Sequence, residues 1–315
     1  MTTKNKLITA SILSSSSIAG ISLINKLIKI SATSKGLLED SQKICFHWRL
    51  GDIYYTKQGT GSPLLLIHDL NAAASSYEWH STISQLSKNH TVYALDLLGC
   101  GSSEKPCLTY TNYLYVQLVS DFIKSEIGHR TDIIVSGSSS SFVIMACNNS
   151  PELFNRLILV NPDSIDVCSQ LPGPYSKYYK RLLDFPVIGT LIYHIAVSKS
   201  AIRDSFEKAF FNPRAVKEST VDIFYEAAHL GFSPKSIYAC VRCNYIRCNI
   251  ANALKRIDNS IYLIGGNENE SVRELFDEYA SYNPAVECSF IKNSKSLPHI
   301  ERPGEFLINV NMFLT

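Results

Sequence analysis

The chain has 315 residues, 45% of them hydrophobic, which is enough to bury one large core and fits a single domain carrying an insertion. With 30 basic and 28 acidic residues the formal net charge is +2, and no basic stripe is interleaved with aromatics, so nucleic acid is excluded as an expected partner. The nine cysteines are odd in number, and Cys240-x-x-Cys243 has no second pair at zinc spacing. They read as buried thiols, with no disulfide framework, no metal and no cofactor expected.

Residues 1–40 stand apart in composition. Lys4 and Lys6 precede the uncharged stretch 7–25, and Lys26, Lys29 and Lys35 follow it. At ~1.5 Å per residue a helix of this length would match a ~30 Å hydrocarbon layer, although serines at 11, 14–17 and 22 make it a poor span. The leading expectation is a helix over 7–25, separate from the core, that associates the protein with a membrane. The alternatives are a signal peptide cleaved at the small-x-small run Ser17-Ile18-Ala19, leaving a secreted protein, and an amphipathic surface helix. Lysines on both sides leave the side of the membrane open.

From residue 41 the pattern changes. Segments 44–49 and 52–57 flank Leu50-Gly51 as a hairpin, and the apolar strand 64–67 delivers His68, Asp69 and Leu70 to a loop. A helix over 75–88 leads to strand 91–96, which runs into Asp96-x-x-Gly99-x-Gly101-x-Ser103. The helix over 111–127 is stopped by Gly128. Asp132-Ile133-Ile134-Val135 is a strand that meets the small-residue knot 136–141 and leaves it as a helix to about Asn149, ended by Pro151. Strand 157–161 follows. Residues 163–258 contain helical runs at 175–183, 188–197, 216–229 and 236–245 but no convincing strand, and further strands occupy 260–265 and 286–291. Such alternation implies a parallel sheet covered on both faces, with its site at the carboxyl ends of the strands.

A serine at the strand-to-helix turn has its hydroxyl pushed clear of the backbone. In Gly137-x-Ser139-x-Ser141 that serine is Ser139; the other reading of four consecutive serines is a turn that caps a helix. Taken with the ordered strands, the Asp96–Ser103 motif and the sequence from 295 to 303, the chain resembles the α/β-hydrolase superfamily over about residues 44–315, in particular its lid-bearing esterase and dehalogenase-like branch. The resemblance implies a mostly parallel eight-stranded sheet with helices on both faces, a core from 41–162 and 259–315, and a helical lid at 163–258. It also implies Ser139 as nucleophile, with the Leu70 and Ser140 N–H groups as oxyanion donors.

Besides Ser141, a serine in the last position of the G-x-S-x-G turn, three positions depart from the family pattern. Asp69 replaces the glycine of a His-Gly pair, putting a carboxylate beside the oxyanion site. Asn269 stands at the acid position, with Glu268 and Glu270 adjacent. Ser296 stands where the base histidine belongs, and His299 lies three residues further on, a displaced base only if the loop is rebuilt. His68 reads as a structural loop histidine and His229 as a weaker base.

The expected function is therefore an esterase-type serine hydrolase with weak or absent turnover. The alternative is a non-catalytic protein on the same fold that binds a small hydrophobic ligand or a partner, since 163–258 is rich in Tyr, Phe, Ile and Leu. A third reading is a membrane-associated structural protein with an occluded pocket.

Overall fold

The computed structural model describes residues 3–39 and 42–314, with side chains from Ser17 onward; the side chains of Lys4 and Lys6 lie outside the described residues. One sheet runs through the molecule in the order β1-β2-β4-β3-β5-β6-β7-β8. Its strands are β1 (Ile44–Trp48), β2 (Gly51–Gln58), β3 (Ser62–Ile67), β4 (His90–Leu95), β5 (Thr131–Ser136), β6 (Phe154–Val160), β7 (Ile261–Gly266) and β8 (Glu287–Ile291). β1, β2 and β4 pair antiparallel, and every other neighbour is parallel.

The central strands are continuous apolar runs because both of their faces are covered. Leu64, Leu65, Leu66 and Ile67 have no exposed surface, and all six residues of β5 are buried. Phe122, Tyr115 and Phe142 pack on one face, while Trp79, Phe306 and Val310 pack on the other. Each fully buried Leu, Ile or Phe contributes about 1.5–3 kcal/mol relative to exposure.

The helices are α1 (Thr3–Thr33), α2 (His80–Leu86), α3 (Asn112–Phe122), α4 (Ser140–Asn149), α5 (Ile165–Cys168), α6 (Ser176–Asp184), α7 (Ile188–Ala196), α8 (Lys199–Ala209), α9 (Glu218–His229), α10 (Pro234–Arg242), α11 (Ala251–Leu254), α12 (Val272–Tyr282), α13 (Pro298–Glu301) and α14 (Pro303–Leu314). α5 to α11 form the insertion between β6 and β7. Of the thiols expected to be buried, Cys107 and Cys288 are exposed.

The N-terminal helix is longer than expected and is not separate from the core. Burial recurs at Ile21, Asn25, Ile28 and Ala32, a 4-3-4 spacing that presents one helix face to α7 and α9. Asn25 Nδ2 donates to the Val187 carbonyl at 2.8 Å, and Lys29 Nζ to the Gly231 carbonyl at 2.7 Å. Beyond the helix, the Leu37 and Leu38 N–H groups donate to the two carboxylate oxygens of buried Glu226 at 2.9 and 3.1 Å. Among the described residues no single helix is long and apolar enough to cross a membrane.

Candidate active site

The carboxyl end of β5 sits between the loops that follow β3 and β8. The first of these is shaped by Asp96: its two carboxylate oxygens accept the Ser76 and Ser102 N–H groups at 2.7 and 2.9 Å. Burial by itself raises the Asp96 carboxyl, but Lys43, 3.6 Å away, and these backbone donors hold it below the usual carboxylate range. His68 is fixed in one neutral tautomer. Its Nε2 accepts the Leu97 N–H at 3.1 Å, so the proton is on Nδ1, which donates to the Asp69 carbonyl at 2.6 Å.

At the turn after β5 the residue with left-handed backbone is Gly137, at φ +57°. Ser139 has ordinary helical angles, φ −62° and ψ −22°, and no exposed surface. Its hydroxyl donates to the His68 carbonyl at 2.7 Å. This corrects the placement of Ser139 as the projecting nucleophile: the sharp turn comes two residues earlier, and Ser139 serves to tie the new helix to the β3 loop. Ser140 is not an oxyanion donor either, because its N–H closes the first helical turn onto the Gly137 and Ser138 carbonyls. Leu70 is buried and does not line the cavity described below.

The remaining donors at the turn belong to Ser138, and both are taken. Its N–H and its hydroxyl both donate to Asp69 Oδ1, at 2.9 and 2.8 Å, while Asp69 Oδ2 accepts from Asn71 Nδ2 at 3.1 Å. A Cβ added at Gly137 would meet Asp69 Oδ1 at 2.3 Å. The carboxylate therefore stands where a side chain at the turn would project, and it already holds the backbone N–H that an oxyanion would need.

Below it lies a buried polar chain. Glu78 Oε1 accepts from the Ser136 hydroxyl and from His299 Nε2, the latter at 2.9 Å, and its Oε2 accepts the Asp69 N–H at 3.0 Å. Burial opposes ionisation of Glu78, but the hydrogen bond and charge of His299 and the Ser136 hydroxyl outweigh it and hold the carboxyl below its usual range. His299 is thus committed to Glu78 and is not a displaced base for Ser139. Its ring packs on Trp79, with centroids 4.5 Å apart.

The other expected residues are spread out. Ser296 lines the cavity; its N–H donates to the Ala209 carbonyl at 2.9 Å, and its carbonyl accepts from Asn161 Nδ2 at 2.8 Å. Glu301 ties the same loop to the insertion by accepting the Lys295 and Phe211 N–H groups at 2.8 and 2.7 Å. Asn269 accepts from the Ser271 hydroxyl at the end of β7. Neither it nor Glu268 nor Glu270 lines the cavity, and none of them is the partner of His299. His229, in the insertion, donates through Nδ1 to the Tyr225 carbonyl and stacks on His194.

Over this floor is a cavity of about 490 Å³. Asp69, Glu78, Ser136 and Gly137 form its base, with Ser296 and Leu297 at one side. The insertion supplies its roof, chiefly Val197, Ile202, Phe206, Phe224 and Tyr238. Reading the sequence missed three contributors: Gly137 as the turn residue, Glu78 as a buried acid, and α8 as the helix that furnishes most of the roof. Away from the cavity, Cys45, His47 and Asp52 on the first hairpin bring possible metal-ligand atoms within 4.8 Å of one another.

Known proteins place this arrangement in context. A 2-hydroxy-6-oxo-6-(2'-aminophenyl)hexa-2,4-dienoic acid hydrolase of Metapseudomonas resinovorans is 31% identical over 108 residues, 34% of this chain and 37% of that protein. A soluble epoxide hydrolase of Corynebacterium sp. is 29% identical over 125 residues, 39% and 43% of the two chains. The matches thus span well under half of these curated relatives. Among solved structures, the carboxylesterase CesB of Bacillus subtilis superposes with a TM-score of 0.69 at 15% identity, covering 94% of this chain and 98% of the other. A bacterial membrane phospholipase A superposes at 0.68 with 18% identity, covering 99% and 98%. The fold is common to all of these structures, and since the sequence model of the alpha/beta hydrolase family matches residues 64–310, the chain belongs to that family.

Proposed function

We propose that this chain is a non-catalytic member of its family, which uses the cavity under the helical insertion to bind a small, largely apolar molecule. The observation that carries this reading is the Asp69 carboxylate standing against Gly137 and accepting both Ser138 donors. A hydrolase of this fold needs a nucleophile at the turn, a base beside it and an open oxyanion site. Here the turn residue has no side chain, serine stands at the histidine position, and a fixed anion fills the oxyanion site.

The test is intact-mass measurement after exposure to a fluorophosphonate, run beside turnover of short p-nitrophenyl esters. No adduct and no turnover above buffer are expected. An adduct on wild type that disappears in Ser139→Ala or Ser136→Ala would reverse the reading.

A second reading, a hydrolase of unusual constellation, is favoured by one observation. Ser136 lines the cavity and shares Glu78 with His299. Against it, the carboxylate lies between serine and imidazole: the Ser136 hydroxyl and His299 Nε2 both bond to Glu78 Oε1, not to each other. Loss of ester turnover in both Ser136→Ala and His299→Ala would establish it.

Association with a lipid surface through α1 belongs to the same proposal. One face of α1 docks, but Ile18, Leu23, Ile24, Leu27 and Ile30 remain exposed, and Lys26 and Lys29 flank them. The resemblance to a membrane phospholipase A over nearly the whole chain supports this. Flotation with anionic vesicles tests it: wild type is expected to float and Leu23→Ser/Leu27→Ser/Ile30→Ser to remain at the bottom. Full-length protein at its unprocessed mass that stays soluble and does not float would defeat both the anchor and the cleaved-signal alternatives.

A further inference from the structure

We infer that the molecule filling this cavity carries a protonated amine, or a comparable cationic hydrogen-bond donor, on an apolar body. This rests on the binding reading above and specifies the chemistry of its ligand. A family member that takes esters or acids needs donors at the turn, yet both Ser138 donors end on Asp69 Oδ1. An incoming carbonyl or carboxylate would find them occupied and would face a negative charge.

Asp69 itself is incompletely satisfied. A carboxylate offers about four acceptor positions, and those bonds use two on Oδ1 and one on Oδ2, where Asn71 donates at 3.1 Å. Asp69 is partly exposed and lines the cavity, so the remaining Oδ2 position is open to a donor from that side. Among the described residues no Lys, Arg or His lines the cavity and no salt bridge reaches Asp69. His68 is neutral by its bonding, and His299 is turned to Glu78.

The surroundings favour a cation further. Glu78, the second carboxylate of the floor, accepts from Ser136, His299 and the Asp69 N–H and is buried against His299, so Asp69 is the floor carboxylate that a ligand reaches. The field of Asp69 extends beyond the cavity: burial and then the charge of Asp69 raise the Asp163 carboxyl, with Arg247 opposing. Above the floor the walls are Val197, Ile202, Phe206, Phe224, Leu297 and Ile300. An unpaired carboxylate beneath such walls is costly to desolvate. An ammonium group relieves that cost with a charge-assisted hydrogen bond while its chain fills the apolar space. The cavity, about 490 Å³, suits a small molecule.

The experiment is calorimetric titration of the full chain with octylamine, octanol and octanoate near neutral pH, in wild type, Asp69→Asn and Ala201→Trp. Ala201 lines the cavity, so tryptophan there fills it. The amine is expected to bind wild type at least about tenfold more tightly than the alcohol, with octanoate the weakest. Asp69→Asn should bring amine and alcohol to similar affinity, and Ala201→Trp should abolish both. Octanol or octanoate binding wild type as tightly as the amine would overturn the cationic head group while leaving the binding reading intact. Amine binding that survives Ala201→Trp would place it outside the cavity and overturn the inference. No binding of any of the three to folded wild type would overturn the binding reading itself.

Discussion

The carboxylate of Asp69 lies in the space that any side chain at Gly137 would occupy, 2.3 Å from the Cβ position. The two residues come from different loops, yet each is possible only because of the other. Gly137 adopts φ +57° without strain and leaves room for Asp69, and Asp69 caps the turn by accepting the Ser138 N–H. Gly137→Ser should therefore destabilise the protein by about 2–4 kcal/mol, from left-handed backbone strain and displaced charge-assisted hydrogen bonds. In the double variant with Asp69→Gly the two losses should not add, because the clash is gone. Urea unfolding of wild type, both single variants and the double closes the cycle. Strictly additive losses would mean that the two positions are independent.

The sheet was legible because runs such as Leu64-Leu65-Leu66-Ile67 and Ile133-Ile134-Val135 are apolar without alternation, the mark of strands covered on both faces. The turn lies two residues before the serine that the motif points to. Gly137-x-Ser139-x-Ser141 looks like a nucleophile motif, whereas the apolar run ends at Val135 and the only residue nearby that takes positive φ freely is the glycine itself. That signal was present. Glu78 was not legible: in Ser76-Tyr77-Glu78-Trp79 it reads as the wet face of a helix, and its burial depends on Ser136 and His299, which are 58 and 221 residues away. α8 hid behind its charges, and its apolar stripe Ile202, Phe206, Ala209 appears only once the helix has been placed.

On the proposed non-catalytic reading, building a hydrolase site requires more than exchanging Ser296 and Asn269. Ser296→His with Asn269→Asp alone should leave ester turnover at background, because no hydroxyl projects at residue 137 and Asp69 still fills the oxyanion site. Adding Gly137→Ser and Asp69→Gly should raise both turnover and fluorophosphonate labelling, since the nucleophile, its base and an open Ser138 N–H then coexist. Turnover in the Ser296→His/Asn269→Asp variant that depends on Ser139 would show that the later serine is the nucleophile after all.

The segment that follows α1 is held by one buried acid. Glu226 accepts the Leu37 and Leu38 N–H groups with separate oxygens, pinning the segment that follows the helix. Glu226→Ala leaves these donors unpaired and should cost about 2 kcal/mol locally. Limited proteolysis reads the result: cleavage near residues 34–39 should accelerate in the variant while the sheet-bearing fragment stays resistant. Unchanged cleavage would mean that the contacts of Asn25 and Lys29 suffice to hold the helix.

The buried Glu78–His299 pair makes the fold acid-sensitive in a definable window. Burial raises the Glu78 carboxyl, and His299 with Ser136 more than reverses this, so the folded-state value lies below the ordinary 4.5. A carboxyl lowered on folding contributes stability that is fully present above its unfolded value and is lost as pH falls through the folded one. Wild type should therefore lose stability as pH drops below about 4.5, with the unfolded chain taking up the proton first. Asp96 is lowered as well and contributes in the same range, so the wild-type profile alone does not isolate Glu78. Glu78→Gln does isolate it. The amide keeps the size and an acceptor for His299 Nε2 but cannot take the proton; the variant should be less stable at neutral pH and its stability should fall less steeply on acidification. The difference between the two proteins should shrink steadily from about pH 5 to pH 3 in urea titrations. A constant difference across that interval would show that Glu78 is not ionised in the folded protein.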